Sequence, residues 1–192
     1  MPLQNVPAPA VAHYRTMQGL QRRAVIRARR GWSQLDPRYL SESWGAVLPL
    51  VALGIGDAQL DAAVAATGYG AETLARRGEY ELPAAFVDPT AFVGVMDDGG
   101  DLSAALYSPI ITTKRALAGG ASLPAALSVG RGRLDQLAHS IITDTGRAAA
   151  SVDVASRTAI GYTRMLNPPS CDRCAILAGR WYRWNAGFDR HP

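Results

Sequence analysis

The chain has 192 residues, of which 48% are hydrophobic, and this composition excludes an intrinsically disordered protein. Its two cysteines cannot form a disulfide scaffold, and the N-terminus lacks the basic and apolar regions of a secretion signal. The most apolar stretch, residues 45–56, is too short to span a bilayer, so we predict a globular protein without a membrane partner.

The formal net charge of +4 is unevenly distributed. Residues 1–35 carry six arginines and no acidic residue, residues 36–146 carry seven basic and thirteen acidic residues, and residues 147–192 carry seven arginines and three aspartates. Basic ends therefore flank an acidic middle, and nineteen of the twenty basic residues are arginine.

Residues 10–31 have the three- and four-residue apolar spacing of a helix, after a proline-rich arm over residues 1–9. Five arginines crowd the second half of this helix: Arg22, Arg23, Arg27, Arg29 and Arg30. Cations are favourable near a helix C-terminus, which is one explanation of the cluster. The other is a surface that docks nucleic acid or an acidic partner, and the sequence leaves both open.

Further helices are predicted from local start and stop signals. Asp36-Pro37 is typical of a helix start and predicts a helix to about Ala66, ended by residues 67–70 and followed by a short helix over residues 71–77. Asp88-Pro89, Asp101 and Ser108-Pro109 predict three more starts, with Gly119-Gly120 as a stop. From Ser122 a long helical pattern continues to about residue 159, with a break expected near Arg131 because of Gly130 and Gly132.

The pattern changes after Ile160. Alternation over residues 162–166 predicts a strand, and Trp181-Tyr-Arg-Trp184 predicts a second. Between them lies Cys171-Asp-Arg-Cys174, a spacing at which two thiolates can bind one zinc ion, with His191 as a third ligand. A structural zinc site needs four ligands, so either this is not a zinc site or the chain stops in the middle of its motif.

The sequence offers little for catalysis. Asp135, His139 and Ser140 lie in one helical pattern, where adjacent side chains diverge and do not form a nucleophile–base pair by themselves. No thioredoxin-like pattern surrounds the cysteine pair and no phosphate-binding loop is present in the sequence. We therefore predict a protein without enzymatic activity.

The C-terminal segment reads Gly161-Tyr-Thr-Arg-Met-Leu166, then Ser170-Cys-Asp-Arg-Cys-Ala-Ile-Leu-Ala-Gly-Arg180, an aromatic stretch and His191-Pro192. In this pattern residues 162–192 resemble the MuF-like minor capsid (head morphogenesis) proteins of tailed bacteriophages, in the actinobacteriophage style. In that family a Gly-Tyr-x-Arg-x-Leu strand precedes Ser-Cys-x-x-Cys-Ala-x-Leu-Ala-Gly-Arg, an aromatic strand and a His-Pro segment. The matching residues here are Tyr162, Arg164, Leu166, Ser170, Cys171, Cys174, Ala175, Leu177, Ala178, Gly179, Arg180, Tyr182, His191 and Pro192.

The resemblance implies a structural virion component at the portal vertex inside the head, which aids capsid assembly. Its implied partners are the portal protein and the major capsid protein, and contact with packaged DNA is left open. Family members continue past His-Pro into a second cysteine pair, which would complete a structural zinc site begun by Cys171 and Cys174.

Two other functions stay open at this point. One is a capsid maturation protease, a label that related proteins often carry, and it requires His139 or Ser140 for processing. The other is a zinc-ribbon nucleic-acid-binding protein, which requires a salt-sensitive DNA affinity that depends on Arg22, Arg23 and Arg27.

The predicted fold class is mainly α, with a multi-helix body followed by a small, incomplete α+β module at the C-terminus. We divide the chain into a basic arm and helix (residues 1–35), a helical body (36–160) and the start of a MuF-like cysteine module (161–192).

Overall fold

The computed structural model describes residues 8–157 and the backbone of residues 161–163 and 181–183. Its elements are α1 (Ala8–Trp32), α2 (Leu40–Arg76), a 3-10 turn (Pro89–Phe92), α3 (Leu102–Leu106), α4 (Ser108–Ala118), α5 (Leu123–Ala155), β1 (Gly161–Thr163) and β2 (Trp181–Arg183). The prediction of a mainly α fold is confirmed.

The three long helices α1, α2 and α5 pack against one another and form the centre of the molecule. Helix α1 runs antiparallel to α2, because its C-terminal Gly31 meets Val51 near the start of α2 and Arg23 meets Asp61 further along. Helices α2 and α5 run parallel, and α4 forms a helical hairpin with α5. The helix of the predicted segment 1–35 therefore shares one hydrophobic core with the helices of the predicted body.

Small side chains line much of the contact between these helices. Seven alanines are fully buried: Ala24, Ala28, Ala62, Ala63, Ala126, Ala138 and Ala149. Trp32 and Trp44 pack in the core with their rings edge to face and their centroids 5.5 Å apart, and the Trp44 indole N–H donates to the Leu106 carbonyl at 3.0 Å. The burial of this indole is compatible with stability because its one donor has a partner.

Glycines that we expected to end or break helices lie inside them, so two predictions were wrong. Helix α5 is continuous through Gly130 and Gly132, and α2 continues through residues 67–70 to Arg76, where a separate short helix was expected. Gly130 makes room for Thr113 and Trp32, and Gly70 makes room for the carboxylate of Asp153. The intrinsic cost of glycine in a helix is offset here by the close approach that it allows.

The predicted start of the second helix at Pro37 was also wrong. Helix α2 begins at Leu40, and the Asp36 carboxylate accepts from the backbone N–H of Arg38 at 2.9 Å instead of capping the helix. A turn closed by the Tyr39 N–H and the Asp36 carbonyl occupies residues 36–39. The Asp-Pro pair therefore stabilises a turn, a geometry that aspartate favours equally well.

Other start and stop signals are confirmed. The Asp88 carboxylate accepts from the Thr90 N–H at 2.9 Å, and that of Asp101 accepts from the Ala104 N–H at 2.8 Å. Helix α4 begins at Ser108 with Pro109 in its first turn, and it ends before Gly119.

Strands β1 and β2 pair antiparallel at the two places where strands were predicted, with Tyr162 opposite Tyr182. The paired backbone brings the two ends of the segment that contains Cys171 and Cys174 together. The cysteines themselves lie outside the described residues.

A fully buried amide joins the loop after the 3-10 turn to the helices. The Gln59 side chain on α2 donates to the Val95 carbonyl at 2.8 Å and to the Thr145 hydroxyl on α5 at 3.2 Å. Its oxygen accepts from the Gly94 N–H at 2.9 Å. Because each polar atom has a partner, this amide fixes the loop at little cost of desolvation.

Helix α2 is apolar along much of its length. An 18-residue window of it has a mean hydropathy of 1.5, so by length and composition the helix could cross a membrane. Core helices of soluble proteins often meet the same criterion. In this fold its Trp44, Ile55 and Ala62 are buried against the other helices. The absence of a membrane partner stays a prediction.

Replacing Gly130 should reveal how closely the helices pack. A methyl group there would lie 2.8 Å from the Trp32 ring and 3.0 Å from the Pro109 carbonyl oxygen, and it would also meet Thr113. We expect Gly130→Ala to lower the free energy of unfolding by about 1–3 kcal/mol in urea denaturation, as overpacked cores do.

Gly132→Ala is the matched control, because nothing lies within 4 Å of a Cβ at this position two residues away. It should raise the free energy of unfolding by about 0.5–1 kcal/mol, since alanine is the better helix former. Equal effects of the two substitutions would contradict the close approach of α1, α4 and α5.

Candidate partner-binding surface on helix α1

The five arginines predicted as a binding surface lie on α1 and are all exposed, but they face different neighbours. Three of them form ion pairs with carboxylates of α2 or α5. Two point away from the core and have no such partner within residues 8–157. The structure thus divides the cluster by helical position.

Arg23 and Arg27 lie along the seam between α1 and α2. The Arg23 guanidinium is 3.5 Å from the Asp61 carboxylate, and that of Arg27 is 3.5 Å from Asp57. Arg27 also donates to the carbonyl of Gly54 at 2.8 Å. These contacts give Asp57 and Asp61 an arginine partner from α1.

Arg29 faces the opposite seam, between α1 and α5. Its Nε and Nη2 donate to the two carboxylate oxygens of Asp135 at 2.9 and 2.8 Å. These hydrogen bonds and the charge of Asp135 raise the pKa of the Arg29 guanidinium above its ordinary value. The two-point geometry makes this pair the most directional ion pair of the seam.

Arg22 and Arg30 lie on the outer side of α1, where Arg15 joins them. Positions 15, 22 and 30 are seven and eight residues apart, so they share one side of the helix. Within the described part of the chain, none of the three forms an ion pair. Arg15 was missed in the sequence because it precedes the dense cluster, although the helical period would have placed it there.

The residues considered for hydrolysis are not brought together as a triad. Both carboxylate oxygens of Asp135 accept from Arg29, while His139 is exposed. Ser140 is half-buried on the same helix. The arrangement gives a protease no support, and the absence of enzymatic activity stays a prediction.

The predicted zinc ligands Cys171, Cys174 and His191 lie outside the described residues. Among the residues that the structure does describe, no group of three or more histidine, cysteine or acidic side chains could hold a metal ion. Zinc binding therefore stays a prediction for the C-terminal segment.

A buried ion pair lies at the C-terminal end of α5. The Arg157 guanidinium donates to the Asp153 carboxylate at 3.0 and 3.3 Å, and both side chains are more than nine-tenths buried. Arg157 also donates to the carbonyl of Glu81. The pair ties the chain after α2 to the end of α5, and it is satisfied internally as a buried charge must be.

His13 on α1 packs against α2, with its ring stacked on Tyr69 at 4.6 Å between centroids. Burial lowers the pKa of its imidazole, and a hydrogen bond with the backbone of Ala65 acts in the opposite direction. A half-buried histidine stacked on an aromatic ring is a packing residue, and its partial burial favours the neutral form.

Comparison with known proteins identifies no relative: no family model, no curated protein and no solved structure matches this chain.

The lowered pKa of His13 predicts a pH dependence of stability. Above its ordinary value of 6.5 the group is neutral in both states and has no effect. As the pH falls below 6.5, the unfolded chain takes up the proton first, so the free energy of unfolding should decrease until the folded-state pKa is passed.

Urea denaturation between pH 7 and 5 tests this. His13→Phe keeps a ring against Tyr69 and should flatten the decrease, whereas His139→Gln, which removes an exposed imidazole, should leave it in place. The same decrease in wild type and His13→Phe would show that His13 is not its source.

Proposed function

We propose that this chain is a structural virion component of a tailed bacteriophage, of the MuF-like minor capsid type, which acts at the portal vertex inside the head. The observation that carries the proposal is the motif of residues 162–192. The paired backbone of β1 and β2 supports it, because the family pattern has a strand on each side of the cysteine pair.

The helical body supports a role in assembly. Helices α1, α2, α4 and α5 form one core, and exposed apolar side chains remain on the outer side of α2, among them Leu50, Leu53 and Val64. Apolar side chains grouped on one helix face are typical of a surface that another protein covers. The proposed partners are the portal protein and the major capsid protein.

The proposed location inside the head can be tested in particles of the phage that encodes the chain. Mass spectrometry of purified, nuclease-treated particles should find the chain in a few copies, and it should co-purify with the portal protein from disrupted heads. Presence in the lysate together with absence from the particles would sink the proposal. Normal processing of the major capsid protein in a Ser140→Ala phage would count against the protease alternative.

The proposed zinc site predicts a defined metal content. Protein produced from the complete gene in zinc-supplemented medium should contain about one zinc ion per chain, as a four-ligand structural site does. Cys171→Ser combined with Cys174→Ser should abolish it in elemental analysis, because both thiolates are ligands.

Two single variants complete the zinc experiment. His139→Gln should keep the metal, whereas His191→Gln should lose it if this imidazole is a ligand. A wild-type protein without zinc, or a double cysteine variant that retains it, would exclude the site.

A further inference from the structure

The outer side of α1 carries three exposed arginines. Three arginines, Arg15, Arg22 and Arg30, follow one another along the side of the helix that is turned away from the buried Ala24 and Ala28. We call these three residues the arginine row. From the helical rise, they lie about 10.5 and 12 Å apart along the axis.

Carboxylates of α2 and α5 beside the arginine row's helix are already paired with other arginines of α1. Helix α1 has no acidic residue. On the α2 side, Asp57 and Asp61 are paired with Arg27 and Arg23, and on the α5 side, Asp135 is paired with Arg29. The charge of the row is therefore not cancelled by its neighbours.

The spacing of the row also limits its self-repulsion. At ionic strengths of about 0.1 M the screening length is about 10 Å, similar to the distance between successive arginines. The three charges are thus nearly independent of one another. A ligand with negative charge along its whole length can engage all three at once.

The shape of this face favours a phosphate backbone over a folded acidic protein. The row stands on the convex side of a helix, and a Cβ built on Gly19, between Arg15 and Arg22, would meet nothing within 4 Å. The one large apolar side chain there is Ile26, which is 51% exposed. Protein interfaces depend on pockets that bury apolar anchors. The recess beside Leu53, Val93 and Leu102 is lined by α2, the loop before α3 and the start of α3, and not by α1.

We infer that the arginine row binds the sugar–phosphate backbone of nucleic acid without sequence specificity. Each guanidinium offers a planar pair of donors that suits a phosphate, and none of the three forms an ion pair within residues 8–157. Only the identification of the bound nucleic acid as packaged DNA rests on the proposed function. The binding itself is a property of the purified chain.

The residues differ from those expected from the sequence. Arg23 and Arg27 are engaged with Asp61 and Asp57, so their removal would expose two carboxylates as well as remove two cations. Replacing the three arginines of the row tests the binding surface more directly, because it leaves no carboxylate among the described residues without its ion-pair partner.

Fluorescence anisotropy with a labelled 20-base-pair duplex of arbitrary sequence tests the inference. For three phosphate contacts we expect log K to fall with log salt with a slope of about −2.7, or about 40-fold weaker binding between 50 and 200 mM salt. Arg15→Gln, Arg22→Gln and Arg30→Gln together should abolish most binding at 50 mM salt and flatten the slope.

The control combines Arg77→Gln, Arg115→Gln and Arg133→Gln, which are exposed on other parts of the surface. Both triple variants lower the net charge from +4 to +1, so they differ only in the position of the charges removed. Circular dichroism should show that both remain helical. The control should keep the wild-type affinity and slope.

Three results would overturn the inference. These are no binding of wild type at 20 mM salt, equal losses in both triple variants, and a preference for poly-glutamate over duplex that the row variant abolishes. The last would indicate an acidic protein partner.

The experiment separates this inference from the proposed function. If the chain is absent from particles, the proposed function fails while DNA binding by the purified chain still stands. If the row variant enters heads normally but the wild type binds no duplex, only the inference fails.

Discussion

The close approach of α1, α2 and α5 is the constraint on which the rest of the molecule depends. Helices approach closely where the side chains between them are small, and alanine and glycine occupy many of these positions. Gly31 admits Val51, Gly130 admits Trp32, and Gly146 admits Met17. The shape of the core thus depends on the positions of its glycines as much as on the positions of its large side chains.

This packing decides which polar groups become structural. Once the helices are close, the residues at the edges of each contact face one another, and arginine is long enough to reach a carboxylate on the neighbouring helix. Arg29 and Asp135 meet across one seam, and Arg27 and Asp57 across the other. Gln59 and Arg157 instead donate hydrogen bonds to backbone carbonyls of the loops, at Val95 and Glu81, and Arg157 also pairs with Asp153. Exposed ion pairs contribute little to stability individually, so their main effect here is on which cations remain available outside.

Local signals in the sequence predicted the elements whose ends depend on their own residues. Asp88, Asp101 and Pro109 begin helical turns because a carboxylate satisfies a free N–H or because proline has none to satisfy. The same signals were wrong at Asp36 and at residues 67–70. At Asp36, the carboxylate accepts a hydrogen bond within a turn instead of capping the helix. At residues 67–70, α2 continues because Gly70 accommodates Asp153 from α5, which is eighty-three positions away in the chain.

The sequence by itself determined the mainly α class, the basic character of α1 and the strands on either side of Cys171 and Cys174, because periodicity, charge and turn residues are properties of neighbouring positions. Only the tertiary structure decided which arginines of α1 are used internally. That choice depends on the carboxylates of α2 and α5, which lie up to 106 positions away along the chain. The candidate binding surface therefore consists of Arg15, Arg22 and Arg30, and not of the five arginines that are close together in sequence. The direction of a side chain relative to the core is set by the packing of the helices and not by its neighbours in sequence.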